Sequence, residues 1–465
     1  MRVDLTASLS DIGVLAQALG AHLTPVGTPR GRIVGVATHA GECRPGDLFL
    51  AMRGKRTSGT AFVGEALARG AGAILADTLF SPPKGSYWLL QVPDVGASLL
   101  RAAALRRKLL SARVIAVAGS TGKTTVKELA AAVLSEKYTV AKSEGNYNSG
   151  VGMPLTLLSI RDCDYAVLEI GINGRGEMAR LSQALSPHIA LLTNVGSAHI
   201  GNFPDRQSLL AEKLAVAEGL APDGWLVLPE TLPIGKGLAP HVWRLGVGEQ
   251  ADVAATAVRY GCFGTVATVR AGGITLPDLA WPQAGRVGLS CLLFAVAVGA
   301  LALMDEGEIR RGVARAAALT PRMRPIVCGE RLLIDDTYNA SPEAMLSALE
   351  ALSYMGAGRP LAAVLGDMGE LGEKSRLYHE TVGMLAAGTD PAGLYFFGEA
   401  AGDYARGARQ AGLSPERIHI FQRNEAKALV DCLVKTLPKN ATVLFKASHS
   451  VALCEVVKML EEVLR

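Results

Sequence analysis

The fold is decided by a stretch that reads Val114-Ile115-Ala116-Val117-Ala118-Gly119-Ser120-Thr121-Gly122-Lys123-Thr124-Thr125. Its first five residues are apolar and either β-branched or small, which predicts a buried parallel strand. A glycine-rich turn follows, and the run from Val126 to Glu136 is compatible with a helix. A strand, turn and helix in this order present backbone N–H groups to an anion. The stretch therefore predicts a phosphate-binding loop; the alternative is an ordinary strand–turn–helix with a surface lysine.

This loop supplies a cation and a metal ligand of its own. Lys123 is placed to neutralise the outer phosphates of a nucleotide, and Thr124 offers a hydroxyl to Mg²⁺. The loop reads G-x-x-G-K-T-T, because Val117 stands where the longer G-x-x-x-x-G-K-[ST] pattern has its first glycine. The residues expected to contact the nucleotide are Gly119, Ser120, Thr121, Gly122, Lys123, Thr124 and Thr125.

The composition indicates an α/β protein with several domains. A length of 465 residues corresponds to roughly three domains. With 49% hydrophobic and 19% charged residues, a largely disordered chain is excluded. The formal net charge of +4 is too small to indicate nucleic-acid binding and suits anionic small molecules. The seven cysteines are scattered without a C-x-x-C motif, which favours buried thiols in a reducing compartment such as the cytoplasm.

Two segments bear on targeting and membrane insertion. The N-terminus has an acid at Asp4 and no uninterrupted apolar core, so we expect no signal peptide. The segment from Val287 to Met304 carries no charge and is near the lower length limit of a transmembrane helix. Because its glycines and alanines suit close packing inside a soluble domain, we expect a buried helix and no membrane span.

Alternating apolar runs and helical stretches divide the chain into three regions. We expect an N-terminal domain at 1–111, a central domain at 112–319 and a C-terminal domain at 320–465. The first has predicted strands at Ile33–Ala37, Leu48–Met52, Ala73–Ala76 and Trp88–Val92. The second has them at Val114–Ala118, Ala166–Gly171, Ile189–Asn194 and Trp225–Leu228, with room for more within 241–283. The third has them at Leu332–Asp335, Leu361–Leu365, Leu394–Phe397 and Val443–Lys446, before a final helix at Val451–Leu464. This rhythm predicts parallel sheets covered by helices.

Polar residues in the central region follow predicted strands, at the sheet edge where open α/β folds bind ligands. Glu169 lies near the end of one strand and is a candidate Mg²⁺ ligand, and His199 follows the next strand. The alternative for each is an ordinary loop role. Lys213 lies in an amphipathic helical pattern and, taken alone, predicts a solvated lysine.

The C-terminal region repeats this arrangement. Asp335 and Asp336 follow a predicted strand, and the glycine-rich loop 366–372 follows the next one. These loops predict an acidic, polar rim, with plain turn chemistry as the alternative. The segment Lys446-Ala447-Ser448-His449-Ser450 opens the last helix, so its basic residue and hydroxyls could hold a carboxylate.

Several of these motifs resemble those of the Mur ligases, the ATP-dependent amide-forming enzymes of peptidoglycan synthesis. The resemblance covers most of the chain and rests on Arg44-Pro45-Gly46-Asp47-Leu48-Phe49, the loop Gly119–Thr125, Glu144-Gly145-Asn146-Tyr147-Asn148, Pro154-Leu155-Thr156-Leu157-Leu158, Asn194-Val195-Gly196-Ser197-Ala198-His199, Asp335-Asp336-Thr337-Tyr338-Asn339-Ala340 and Leu365-Gly366-Asp367-Met368-Gly369-Glu370-Leu371-Gly372. It implies a three-domain α/β architecture. An N-terminal domain would hold a UDP-sugar, a central P-loop domain with a parallel sheet would bind ATP, and a C-terminal domain of dinucleotide-fold type would bring the amino acid or dipeptide.

The resemblance also implies roles for single residues, with ATP and two Mg²⁺ sites as cofactors. Lys123 would contact the ATP phosphates, and Thr124, Glu169 and His199 would serve the Mg²⁺ sites. Lys213 matches the lysine that is carbamylated in the family and helps to hold the second Mg²⁺. The residues near the nucleotide would be Arg322, Asp336 and Asn339. The implied partners are small molecules, a UDP-MurNAc-peptide-like carboxylate donor and a D-Ala-D-Ala-like amine acceptor, bound by a cytoplasmic monomer.

The chain departs from the family pattern at several positions. Thr38-His39-Ala40 replaces Asp-Ser-Arg, Ser58-Gly59-Thr60 replaces Asp-Gly-His, Ala215 replaces an acid, Val287, Gly288 and Cys291 replace a His-Asn-x-x-Asn segment, and Lys446-Ala447-Ser448-His449 replaces Lys-Gly-Ser-Arg. Three hypotheses fit these departures. The chain is a divergent cell-wall ligase, a paralogue that joins a different carboxylate and amine, or a nucleotide-binding partner without turnover.

Overall fold

The computed structural model describes residues 1–54, 57–145, 147–196, 202–319, 322–369 and 371–464. The contacts divide the chain into two compact units. One consists mainly of Met1–Val195 with 202–228 and 232–243, and the other mainly of residues from Arg244 onward. The strands within these ranges form three sheets, as expected for three α/β domains. The predicted boundaries after residues 111 and 319 stay predictions.

The N-terminal domain is a six-stranded sheet with helices. Its strands are β1 (Arg2–Asp4), β2 (His22–Val26), β3 (Gly35–Ala37), β4 (Leu48–Leu50), β5 (Ala73–Asp77) and β6 (Tyr87–Val92). Its helices are α1 (Ile12–Leu19), α2 (Val63–Ala68) and α3 (Val95–Leu109). The sheet order is β1-β3-β4-β5-β6-β2, with β3 to β6 parallel. The fully buried carboxylate of Asp47 accepts hydrogen bonds from Arg2 at 2.7 and 2.9 Å, which fixes β1 to the turn before β4.

The central domain contains the predicted parallel sheet. Its parallel strands are β7 (Arg113–Ala118), β8 (Val140–Lys142), β9 (Tyr165–Glu169), β10 (Ile189–Leu192) and β11 (Trp225–Pro229). The helices among them are α4 (Lys123–Leu134), α5 (Gly152–Ser159), α6 (Glu177–Leu185) and α7 (Arg206–Leu214). Strand β7 lies between β9 and β10, so its apolar run is buried on both faces, as predicted. Strands β9 and β10 end two residues earlier than predicted, because Gly171 and Asn194 bond to neighbouring loops.

The segment after β11 is antiparallel for most of its length. It contains β12 (His241–Val247), β13 (Val253–Gly261), β14 (Gly264–Ala271) and β15 (Ile274–Trp281), followed by α8 (Gly285–Leu301) and α9 (Glu306–Leu319). Strands β13, β14 and β15 form a meander with two register shifts. Helix α8 is buried along most of its length, as expected for the uncharged segment from Val287. Among the described residues, no helix is both long and apolar enough to cross a membrane.

The C-terminal domain is a doubly wound sheet. Its strands are β16 (Arg324–Cys328), β17 (Arg331–Asp336), β18 (Leu361–Gly366), β19 (Gly393–Phe397), β20 (Ile418–Phe421) and β21 (Thr442–Lys446). Its helices are α10 (Pro342–Met355), α11 (Ser375–Ala387), α12 (Ala401–Gln410), α13 (Ala426–Thr436) and α14 (Leu453–Leu464). The order is β16-β17-β21-β18-β19-β20, and all neighbouring strands are parallel except the antiparallel pair β16 and β17. Two separate apolar cores lie on the two faces, which is the arrangement of a dinucleotide-type fold.

The cysteines only partly follow their prediction. All seven lie within the described residues as free thiols; Cys43, Cys291 and Cys328 are buried, whereas the other four are half-buried. Burial raises the pKa of the Cys291 thiol to about 12, so this sulfur stays protonated and unreactive at neutral pH.

Candidate active site

The loop between β7 and α4 has the shape of a phosphate cradle. Gly122 caps α4 in the left-handed region with φ of 79°, and Gly119 has φ of 141°. A Cβ at Gly119 would lie 2.0 Å from Thr193 Oγ1, so only glycine allows this close approach. The first N–H groups of a helix have no acceptor within it, and here they follow the loop directly. The predicted phosphate-binding geometry is therefore present.

Two side chains that follow β10 hold this loop in place. Asn194 Oδ1 accepts hydrogen bonds from the N–H groups of Ser120 at 3.2 Å and Thr121 at 3.0 Å, and Asn194 Nδ2 donates to Thr121 Oγ1 at 2.7 Å. Thr193 Oγ1 donates to the Thr121 carbonyl oxygen at 2.6 Å. These bonds fix the loop from the neighbouring strand.

Lys123 lies at the first position of α4 and its side chain turns back over the loop. Its Nζ donates to the carbonyl oxygens of Gly119 at 3.0 Å and Ser120 at 3.3 Å. The ammonium group therefore lies within the cradle. That position suits the predicted contact with the outer phosphates.

A carboxylate and a hydroxyl meet beside the cradle. Thr124 Oγ1 donates to Glu169 Oε2 at 2.9 Å, and Asn148 Nδ2 donates to Glu169 Oε1 at 2.6 Å. Glu169 is only 2% exposed, and its own N–H donates to Ser143 Oγ at 2.9 Å. Hydroxyl and carboxylate oxygens are the ligands that Mg²⁺ prefers, so this pair fits the predicted metal site. In the described ranges, no group of three or more His, Cys, Asp or Glu side chains forms a metal cluster.

Two further residues of the central domain, His199 and Lys213, were predicted to belong to the site. His199 lies outside the described residues. Lys213 belongs to the last turn of α7 and is only 1% exposed, so the expectation of a solvated lysine is wrong. Lys213 follows Leu209 by four residues, so both lie on the buried face of α7. The charge of the lysine concealed this placement in the sequence.

In the C-terminal domain, Asp336 is paired with a lysine. Lys446 Nζ donates to Asp336 Oδ2 at 2.5 Å and to the Asn339 carbonyl oxygen at 2.9 Å, and both charged side chains are buried. Two protons of the Lys446 ammonium group are thus used inside the domain, and its role in holding a ligand's carboxylate stays a prediction. His449 is exposed in the same segment.

Two other predicted nucleotide residues lie near this ion pair. The guanidinium of Arg322 lies over the Tyr338 ring, 5.0 Å from its centroid. Asn339 Oδ1 accepts a hydrogen bond from the Ala340 N–H at 2.8 Å, which shapes the turn before α10. Ser341 caps α10, and Pro342 begins it. The end of β17 thus gathers Arg322, Asp336 and Asn339 on one side of the domain.

The glycine-rich loop after β18 is held by a buried acid. The Asp367 carboxylate accepts from the N–H groups of Glu399 at 3.0 Å and Ala400 at 2.9 Å, and from Arg423 at 2.8 Å. Asp367 therefore stabilises the loop. The prediction that its carboxylate belongs to an exposed acidic rim is wrong, because this carboxylate is buried. Ser448 Oγ accepts from the Gly369 N–H at 2.9 Å and links this loop to the one after β21.

The N-terminal domain has a cavity of about 580 Å³. Its lining includes Arg53, Thr57, Ser58, Thr60, Asp77 and Phe80. Ser58 Oγ also accepts from the Thr60 N–H at 3.4 Å, and His39 Nδ1 accepts from the Gly41 N–H at 3.2 Å. The departures at His39 and Ser58 therefore act as local caps of short helical turns.

Comparison with known proteins agrees with this arrangement. Family models match three segments: the Mur ligase family catalytic domain at 32–92, the Mur ligase middle domain at 117–299 and the Mur ligase glutamate ligase domain at 322–449. A curated relative from Treponema pallidum, UDP-N-acetylmuramoyl-tripeptide–D-alanyl-D-alanine ligase, is 34% identical over 95% of this chain and 96% of its own.

Solved structures match over the same length. A crystal structure of MurF from Acinetobacter baumannii has a TM-score of 0.83 and 27% identity, covering 99% of this chain and 100% of its own. The MurF ligase of Thermotoga maritima, crystallised with ADP, has a TM-score of 0.73 and 28% identity, covering 92% and 97%. Together with the phosphate cradle and its carboxylate, these similarities identify the chain as a member of the Mur ligase family.

Proposed function

We propose that this protein is the ligase that adds D-alanyl-D-alanine to UDP-MurNAc-tripeptide in peptidoglycan synthesis, with ATP as the energy source. The observation that carries the proposal is the contact of Thr124 with Glu169 beside the phosphate cradle. The full-length similarity to ligases named for that reaction supports the choice of substrates. ATP and a UDP-linked donor favour a cytoplasmic enzyme, and we propose that it acts as a monomer.

The proposed reaction activates a carboxylate that is by itself a poor electrophile. A donor carboxylate oxygen attacks the γ-phosphorus of ATP, giving an acyl phosphate and ADP. The amine nitrogen of the acceptor then attacks the acyl carbon, its proton leaves to solvent, and inorganic phosphate departs. The phosphate leaves with one oxygen of the original carboxylate.

The central domain supplies the phosphate side of this reaction. The N–H groups at the start of α4 and the Lys123 ammonium offset charge on the phosphates as the phosphoryl group moves. We propose that Thr124, Glu169 and His199 hold Mg²⁺, which when bound neutralises phosphate charge. Arg322, Asp336 and Asn339 are proposed to contact the rest of the nucleotide from the C-terminal domain.

Lys213 is proposed to carry a carbamate and to hold a second Mg²⁺. Because a lysine carbamate replaces a cation with an oxygen-rich anion, it suits this metal. We expect activity to fall in carbonate-depleted buffer and to recover on adding bicarbonate, with a ¹³C carbamate signal after labelling. Lys213→Ala should lose both the signal and the response. A wild-type enzyme that is fully active without bicarbonate and shows no carbamate signal would refute this role.

A second candidate keeps the ligase chemistry and changes the substrates. It is favoured by Thr38, Ala40 and Ser58, which stand where the family pattern has charged residues that contact the UDP-sugar. Ser58 caps a short helical turn instead. A phosphate-release assay with UDP-MurNAc-tripeptide and D-alanyl-D-alanine separates the two. We expect release only when both are present, with kcat/KM in the common enzyme range of about 10⁴–10⁸ M⁻¹s⁻¹. Release with other carboxylates and amines, and none with this pair, would favour the second candidate.

A further inference from the structure

A second lysine of α4 is buried beneath the phosphate cradle. Lys127 lies one helical turn after Lys123 and is 0% exposed. Its Nζ donates to the carbonyl oxygens of Ser143 at 2.7 Å and Gly145 at 3.1 Å, and lies 3.1 Å from Glu128 Oε1. Burying an ammonium group is costly unless it is bound in this way. Lys127 therefore holds the backbone of the segment after β8.

That segment in turn holds the proposed metal ligand. Ser143 Oγ accepts the hydrogen bond of the Glu169 N–H, and Asn148 Nδ2 donates to Glu169 Oε1. With Oε1 bound to the amide, Oε2 is the oxygen that meets the Thr124 hydroxyl. The Asn148 carbonyl oxygen is also fixed, since it accepts from the Gly171 N–H at 2.7 Å. The orientation of the carboxylate thus depends on where residues 143 and 148 lie.

We propose that Lys127 is a positioning residue for the metal site. By fixing Ser143 and Gly145, it presets the Glu169 carboxylate for Mg²⁺ without touching the metal or the nucleotide. The proposal rests on the proposed function of Glu169 as a metal ligand. Groups that orient a metal ligand without touching the metal typically contribute about 10–100-fold to metal affinity. We expect the loss of Lys127 to weaken metal binding by a factor in that range.

A purely structural role for Lys127 makes a different prediction. It would lower the free energy of unfolding, or kcat, and leave the metal affinity of the folded enzyme unchanged. A positioning role instead raises the Mg²⁺ concentration needed for half-maximal activity, and saturating Mg²⁺ restores most of kcat. Metal binding measured apart from turnover therefore distinguishes the two roles.

The experiment compares K127M with wild type and with K142M as the matched control. Lys142 pairs with the same Glu128 but is exposed, and among the described residues its ammonium group donates no hydrogen bond to the carbonyl oxygens of residues 143 or 145. Binding of Mn²⁺ in the presence of ADP is followed by the electron paramagnetic resonance signal of the free ion. We expect the dissociation constant to rise by about 10–100-fold in K127M and to stay at the wild-type value in K142M.

The outcomes separate this inference from the metal site itself. If wild type binds no Mn²⁺ with ADP, the metal site fails and this inference fails with it. If wild type binds and K127M binds equally well, only the role of Lys127 is overturned. If K127M does not fold, the Mn²⁺ affinity of S143A is measured instead. This variant removes the acceptor of the Glu169 N–H hydrogen bond and leaves the lysine in place. An unchanged Mn²⁺ affinity in S143A overturns the positioning role.

Discussion

Lys123→Ala is expected to lower kcat by about 10²–10³-fold or more, because the migrating phosphoryl group loses the cation beside it. The Lys123 side chain lies over the loop backbone. Its removal should therefore leave the hydrogen bonds of Asn194 and Thr193 to the loop intact. Phosphate release at saturating substrates measures the loss.

The matched control is Lys108→Ala, which removes an exposed lysine of α3. It should keep the wild-type rate, since surface substitutions far from the site rarely matter. A Lys123→Ala enzyme that keeps more than a tenth of the wild-type kcat would contradict the role assigned to this loop.

Asp336→Ala is expected to destabilise the protein by about 3–5 kcal/mol, because it leaves the ammonium of Lys446 buried without its anion. The nearby Asn339 carbonyl oxygen offers a dipole but no compensating charge. Urea unfolding, followed by circular dichroism, gives the change in the free energy of unfolding.

The double variant Asp336→Ala with Lys446→Met is the control for this ion pair. Removing both charges removes the unpaired cation, so the double variant should recover a large part of the lost stability. If Asp336→Ala lowers the free energy of unfolding by less than about 1 kcal/mol, the pair contributes no more than an exposed ion pair. That result would contradict the stability effect expected from its burial.

Much of the fold follows from local sequence. The apolar run 114–118 and the glycines after it determine a central strand and a cradle, because few other conformations satisfy both. The predicted strands of all three domains are present within one or two residues of their expected ends. Ends differ where a backbone group bonds outside its strand, as at Gly171 and Asn194.

The contacts behind the site do not follow from local sequence. Lys213 was expected to be solvated from its helical pattern, yet it is buried. Lys127 is buried as well, and no prediction for it was made from the sequence. The partner of Asp336 is 110 positions away, and the two meet only because β17 and β21 are adjacent. Such pairings depend on the strand order, which hydrophobic periodicity does not encode.

The roles of Asn148 and Ser143 were missed for a related reason. The motif containing Asn148 contributed to the family resemblance, but nothing in its spacing connected it with Glu169. A polar segment that follows one parallel strand and lies beside the end of the next is a signal that could have suggested the contact.

The central claim is that a carboxylate is activated by phosphorylation, and an isotope measurement tests it most directly. UDP-MurNAc-tripeptide with ¹⁸O in its terminal carboxylate is incubated with ATP, Mg²⁺, D-alanyl-D-alanine and the enzyme. Our account predicts that each released phosphate carries one ¹⁸O atom from the donor and that the amide product keeps the other. Phosphate without ¹⁸O, released while the amide forms, would contradict the account.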